Sequence, residues 1–129
     1  MLDVSPAGEE TLKELEELLR CEAEKIGLTD PYNLEIRGHS KSYWGKYNPN
    51  TNTVILYVLD DNGKLYPLWD IMKAFIHELI HCRQWHDPDF KRLRGIMHNP
   101  EFYKLYSDYI DRAKARQLFK EVQNSESVY

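Results

Sequence analysis

Cysteine is nearly missing from this sequence: Cys21 and Cys82 are the only two in 129 residues. That is too few for a disulfide framework and lacks the paired spacing of a cysteine zinc site. Both fit a reducing compartment and small apolar positions on helices. Long apolar runs are missing too, and none approaches the roughly 20 residues that a membrane-spanning helix needs. The opening segment, MLDVSPAGEETLKELEE, carries acids where a secretory leader carries a basic segment and then an apolar one. No leader is therefore expected, and a cytoplasmic location is. There is no internal repeat and no low-complexity tract. Nor is there an excess of positive charge: 17 Lys and Arg stand against 21 Asp and Glu, a net charge of −4, which does not favour nucleic acid as the main partner.

What remains is an ordinary globular composition, 42% hydrophobic and 29% charged, with nine Tyr, three Trp and four Phe to build a core. The length suits a single domain over residues 1–129, with 1–8 and 124–129 expected to fray. The charge is uneven. Residues 1–30 hold nine acids against three bases, and residues 73–120 hold ten bases against six acids. Solvated helix faces account for this; the alternative is a footprint for an acidic partner on the C-terminal half.

Ser5-Pro6 has the form of a helix start, and Leu12, Leu15, Leu18, Leu19, Ala23 and Ile26 recur at helical spacing until Gly27 stops the run. NLEIRGH (33–39), YWGKYN (43–48) and TVILYVL (53–59) then read as strands, with turn chemistry at NPNTN (48–52). A short further strand is expected near 64–66. A second helix is expected from Pro67 or Leu68 to His86, apolar on several sides and ended by Asp87-Pro88. Asn99 is a good N-cap, Pro100 suits the first helical position and Glu101 the first turn of a third helix, whose stripe runs Phe102, Leu105, Tyr106, Tyr109, Ile110, Ala113, Leu118. The expected fold class is α+β, with a small, mostly antiparallel sheet of about three strands.

The second helix contains FIHELIH (75–81), an odd sequence for a buried helix. His77 and His81, four apart, lie about 40° from one another around the axis and point the same way, which lets two imidazoles hold one metal ion. Glu78 completes H-E-x-x-H, in which the glutamate is a general base toward water rather than a ligand. An unpaired carboxylate in so apolar a helix is costly, and a metal with its water supplies the missing partner. A catalytic zinc takes three protein ligands and leaves one position open. His86, about 140° further round the helix than His81, is a poor third ligand. His39 sits at a strand end. His98, just before the N-cap of the third helix, is favoured because that helix can fold back onto the second. Glu101, one turn on, is the runner-up.

HELIH followed after a connector by HNPEFYKLY resembles the SprT-like zinc metallopeptidase family, which includes Spartan-type proteases and the related WLM-type peptidases. The resemblance covers about Tyr43 to Tyr106. It implies one zinc ion held by His77, His81 and His98, Glu78 as general base, and a minimal zincin fold with a small sheet against the active-site helix. It also implies that the strand Thr53–Leu59 is the edge strand over the cleft, along which a protein or peptide substrate lies as an added strand. Asn99 stands where the family has Gly, and no cysteine follows Cys82 to build the zinc ribbon that many members carry. Tyr103, Tyr106 and Tyr109 are candidates to stabilise the oxyanion by position alone. The family's link with DNA-bound proteins has weak support: Arg83, Lys91, Arg92, Arg94, Lys104, Arg112, Lys114, Arg116 and Lys120 could form a basic patch, and Trp44 and Trp85 could stack on unpaired bases, although packing is the simpler account of the two tryptophans. Two other functions fit the same residues: a regulatory peptidase specific for one partner, and a zinc-stabilised binding module without turnover.

Overall fold

The computed structural model describes residues 6–41, 44–89 and 97–116, the side chains of 6–11 excepted. Ser5, Tyr43, Lys91, Arg92, Arg94, Leu118, Lys120 and the last residues, 124–129, lie outside them. The order of elements is α1 (Pro6–Lys25), β1 (Asn33–Arg37), β2 (Gly45–Asn48), β3 (Thr53–Tyr57), α2 (Leu68–His86) and α3 (Pro100–Lys114), an α+β fold. Helix α1 begins at Pro6.

Helix α1 buries Leu15, Leu19 and Ala23, and Ile26 just beyond its end is buried with them. It ends in a double hydrogen bond, the Leu28 N–H to the Ala23 carbonyl at 2.9 Å and the Gly27 N–H to the Glu24 carbonyl at 3.1 Å. Such a cap needs a left-handed residue, and Gly27 supplies it with φ of 100°.

The sheet has three strands in the order β1-β3-β2. β2 and β3 form an antiparallel hairpin, but β1 pairs with β3 in parallel, so the sheet is mixed rather than mostly antiparallel. This also corrects the expected edge strand: Thr53–Tyr57 is the centre of the sheet, bonded on both sides, and β2 takes the edge beside α2. The reason lies in the side chains. Val54, Ile55 and Leu56 are buried in succession, the pattern of a strand covered on both faces. NLEIR and GKYN carry charged and polar residues that suit edges. The short strand expected near 64–66 is a single bridge between Leu59 and Leu65.

Helix α2 touches α1, α3, β2 and β3. Met72, Phe75, Ile76 and Ile80 are fully buried on it, each contributing about 1.5–3 kcal/mol by leaving water. Asp87, with extended backbone, ends it. Asn99 starts α3 as expected: its Oδ1 accepts the Phe102 N–H at 2.9 Å. Arginines fasten α3 to the rest. Arg112 donates to the Ile26 carbonyl at 2.9 Å, and Arg116 spans both oxygens of the buried Glu22 at 2.8 and 3.3 Å. Arg83 of α2 donates to Asp30 at 3.1 Å and to the Tyr109 hydroxyl, and stacks over the Tyr109 ring.

Asn99→Ala is expected to lower the unfolding free energy by about 1 kcal/mol, and Asn99→Gly by only a few tenths, as urea denaturation will measure.

Candidate metal centre

Two consecutive turns of α2 place the His77 and His81 rings side by side. The N-cap geometry of α3 turns the residue before it, His98, back toward them. The three Nε2 atoms form a near-equilateral triangle: His77 to His98 3.0 Å, His81 to His98 3.1 Å, His77 to His81 3.2 Å. Among the described residues this is the one group of His, Cys, Asp or Glu gathered closely enough to hold a metal ion. A metal–imidazole bond of about 2.0–2.1 Å, as zinc forms, puts ideal tetrahedral nitrogens about 3.3–3.4 Å apart, so the triangle needs only a slight opening to accept such an ion. The Phe102 ring backs all three imidazoles, with centroids 4.7–5.0 Å away.

Gln84 fixes how His81 presents itself. The Gln84 amide nitrogen donates to the Met97 carbonyl at 2.6 Å, which can only accept. The amide oxygen must then face His81 Nδ1, 2.6 Å away, and take its proton. His81 is left with a lone pair on Nε2, the atom in the triangle. The same side chain, fully buried, holds the backbone just before His98 and so sets two of the three nitrogens. The sequence reading missed this residue, although its place three after His81 on the helix puts it within reach of that ring.

For His77 and His81, burial favours the neutral ring, the form that binds metal. Burial, followed by the neighbouring His81 and His98, pulls His77 down to about 4. His81 is lowered as well, by burial first, with the Gln84 bond opposing and His98 adding. Glu78 is 7% exposed, its Oε2 3.9 Å from His77 Nε2, and burial pushes its carboxyl up to about 8. A cation held by the imidazoles acts in the opposite sense and favours the carboxylate.

The centre lies in an open groove with two halves that share Gly45, His77 and Glu78. One half, about 420 Å³, is walled by Trp44, Asp70, Lys73 and Tyr106. The other, about 390 Å³, is walled by Tyr47, Trp85, Met97 and His98. Trp44 lies on Tyr66, centroids 4.3 Å apart and planes at 17°. Gly45 is where β2 comes closest to the helix: a Cβ there would meet Leu56 Cδ2 at 3.1 Å, and Glu78 Cγ and the Ile55 carbonyl at 3.2 Å.

The other candidates fall elsewhere. His39 bonds the Leu59 carbonyl and Asp61. His86 joins Tyr47 and Asn52 at the β2–β3 turn. Glu101 is exposed on the first turn of α3. Tyr109 is buried against Arg83 and Arg112, and Tyr103 lines neither half of the groove. Three arginines of the expected basic patch, Arg83, Arg112 and Arg116, are engaged within the fold. No helix is long and apolar enough among the described residues to cross a membrane.

Comparison of the chain with protein-family models, with curated proteins and with solved structures finds no match.

Alanine at His77, His81 or His98 is expected to abolish stoichiometric metal binding, and alanine at His39 or His86 to leave it intact, as metal analysis after gel filtration will check. Gln84→Leu should fold but bind metal about 10–100-fold more weakly in a chelator competition.

Proposed function

We propose that the protein is a zinc-dependent endopeptidase of SprT-like kind. What supports this above all is the joint position of three convergent imidazole nitrogens and one buried carboxyl, Glu78, at the floor of an open groove. A purely structural zinc is enclosed by four ligands and needs no neighbouring base; here three ligands face a groove and His98 is exposed. Imidazole donors suit zinc among available ions.

Zinc, when bound, supplies Lewis-acid polarisation of a water and of a peptide carbonyl. Glu78 takes the proton from that water and passes it to the departing amine. Its apolar surroundings keep the carboxyl able to hold the proton between those two transfers. The substrate backbone lies along the outer edge of β2, the strand that Gly45 lets come close to Glu78, and main-chain hydrogen bonds fix its register. Recognition of this kind asks for an extended segment more than for one particular side chain.

The partner is thus a protein or peptide in extended form, and the two free cysteines agree with a cytoplasmic setting. A substrate bound to DNA is the weaker extension, since the arginines engaged within the fold are not available to phosphates.

Glu78→Gln should keep about one zinc per chain and lose casein cleavage by a factor of roughly 10²–10⁴. Running both proteins with and without single-stranded DNA tests the DNA extension. Zinc binding without any cleavage by the unmodified protein would favour the binding-module function, and cleavage of one partner alone the regulatory one. Gly45→Ala should retain zinc while turnover falls about tenfold or more, because the new methyl displaces Glu78.

A further inference from the structure

Two tyrosines face the groove, one in each half. Their hydroxyls differ in what they are doing. That of Tyr47 is committed: it donates to Asn52 Oδ1 at 2.7 Å and meets His86 Nε2 at 3.0 Å. That of Tyr106 bonds to no described residue, and it is not sealed away, since no buried side-chain polar atom among the described residues lacks a partner. Its ring is held firmly. Tyr106 lies one helical turn beyond Phe102, parallel to that ring at 7° with centroids 6.2 Å apart, and its edge meets the His77 ring at 5.8 Å. A phenol that walls the half-groove shared by Glu78 and His77, and whose hydroxyl has no partner among the described residues, is a donor open to a substrate there.

Of the other side chains on that wall, Lys73 is paired with Asp70 at 3.2 Å, and Trp44 lies with its ring stacked on Tyr66. Peptide hydrolysis creates a need at this place. When the water oxygen bonds to the carbonyl carbon, the π pair of the C=O moves onto its oxygen, and the water's proton goes to Glu78. The oxygen carries developing negative charge until the C–N bond breaks, its electron pair leaving with the nitrogen, which takes the proton from Glu78. A preorganised donor aimed at that oxygen lowers the barrier more than it strengthens substrate binding.

We infer that Tyr106 is a catalytic residue, its phenol O–H donating a hydrogen bond to the oxygen of the scissile carbonyl as that oxygen becomes anionic. The O–H bond is not broken and the phenol is unchanged at the end of the cycle. This rests on the peptidase function proposed above.

The test compares the zinc-loaded unmodified protein with Tyr106→Phe, which removes one oxygen atom and leaves the ring against Phe102 and His77. The readouts are zinc content, melting temperature, kcat and KM on a casein-derived peptide, and calorimetric affinity for a phosphonate peptide that imitates the tetrahedral anion. The expected result is unchanged zinc content, melting temperature and KM, a kcat lower by about 10²–10³, and phosphonate affinity reduced by a similar factor. A kcat within about threefold of the unmodified protein, or an effect on KM alone, overturns the assignment, because a mere wall of the groove behaves in that way. If the unmodified protein cleaves nothing, the peptidase function fails on its own, and the phosphonate still judges Tyr106: weaker binding by Tyr106→Phe supports the donor and equal binding overturns it. No phosphonate binding by the unmodified protein overturns both.

Discussion

A carboxyl group that is 7% exposed, on the helix with the most buried side chains, imposes a cost that the surrounding structure is arranged to offset. Helix α2 supplies Met72, Phe75, Ile76 and Ile80 to the core, so Glu78 has no freedom to turn toward water without unpacking them. Left alone, such a group stays protonated, as its raised value indicates. A cation one residue away reverses this, and the three imidazoles are gathered where a cation would do so. Core packing and the candidate metal centre therefore share one helix: the apolar faces hold α2 in place, and that placement keeps the carboxyl beside the gathered imidazoles.

Positioning beyond α2 follows from two short hydrogen-bonded links. Gln84 ties the His81 ring to the backbone ahead of His98, and Asn99 caps α3 immediately after it. His98 itself is exposed, and its direction comes from the backbone on either side of it together with the Phe102 ring, 5.0 Å away between centroids. Phe102, fully buried, then fills the space behind the triangle. Asn99, where the SprT-like pattern has glycine, strengthens the start of α3 without intruding on the site, since its side chain turns inward to the helix.

The two histidines and the glutamate were legible because helical spacing alone decides where they point, and His98 was legible because Asn99-Pro100 announces a helix start. Strand order was not, since parallel pairing of β1 with β3 is a long-range fact and local turn chemistry reveals only the β2–β3 hairpin. A signal was nonetheless present: TVILYVL is the most continuously apolar strand, and that composition belongs in the centre of a sheet. Gln84 was passed over because an isolated glutamine on a helix carries no pattern of its own. The engagement of Arg83, Arg112 and Arg116 within the fold was hidden for a related reason. Counting charge along the chain cannot tell a guanidinium facing solvent from one that, like Arg116, grips a buried glutamate.

The same ties bear on whether a metal here would act on substrates or only hold the fold together. In a small domain that depends on a structural ion, metal binding is folding free energy, and little core exists without it. Here α3 is joined to α1 through Glu22–Arg116 and through Arg112 at the Ile26 carbonyl, and to α2 through Arg83 and Tyr109. Phe102, Ile110 and Ala113 belong to one hydrophobic cluster with Leu19, Leu56 and Phe75. His98 is thus placed by the start of a helix that packing and ion pairs already hold. A site assembled in advance by the fold does not need an ion to hold the fold together, so an ion bound there would be free to serve chemistry instead.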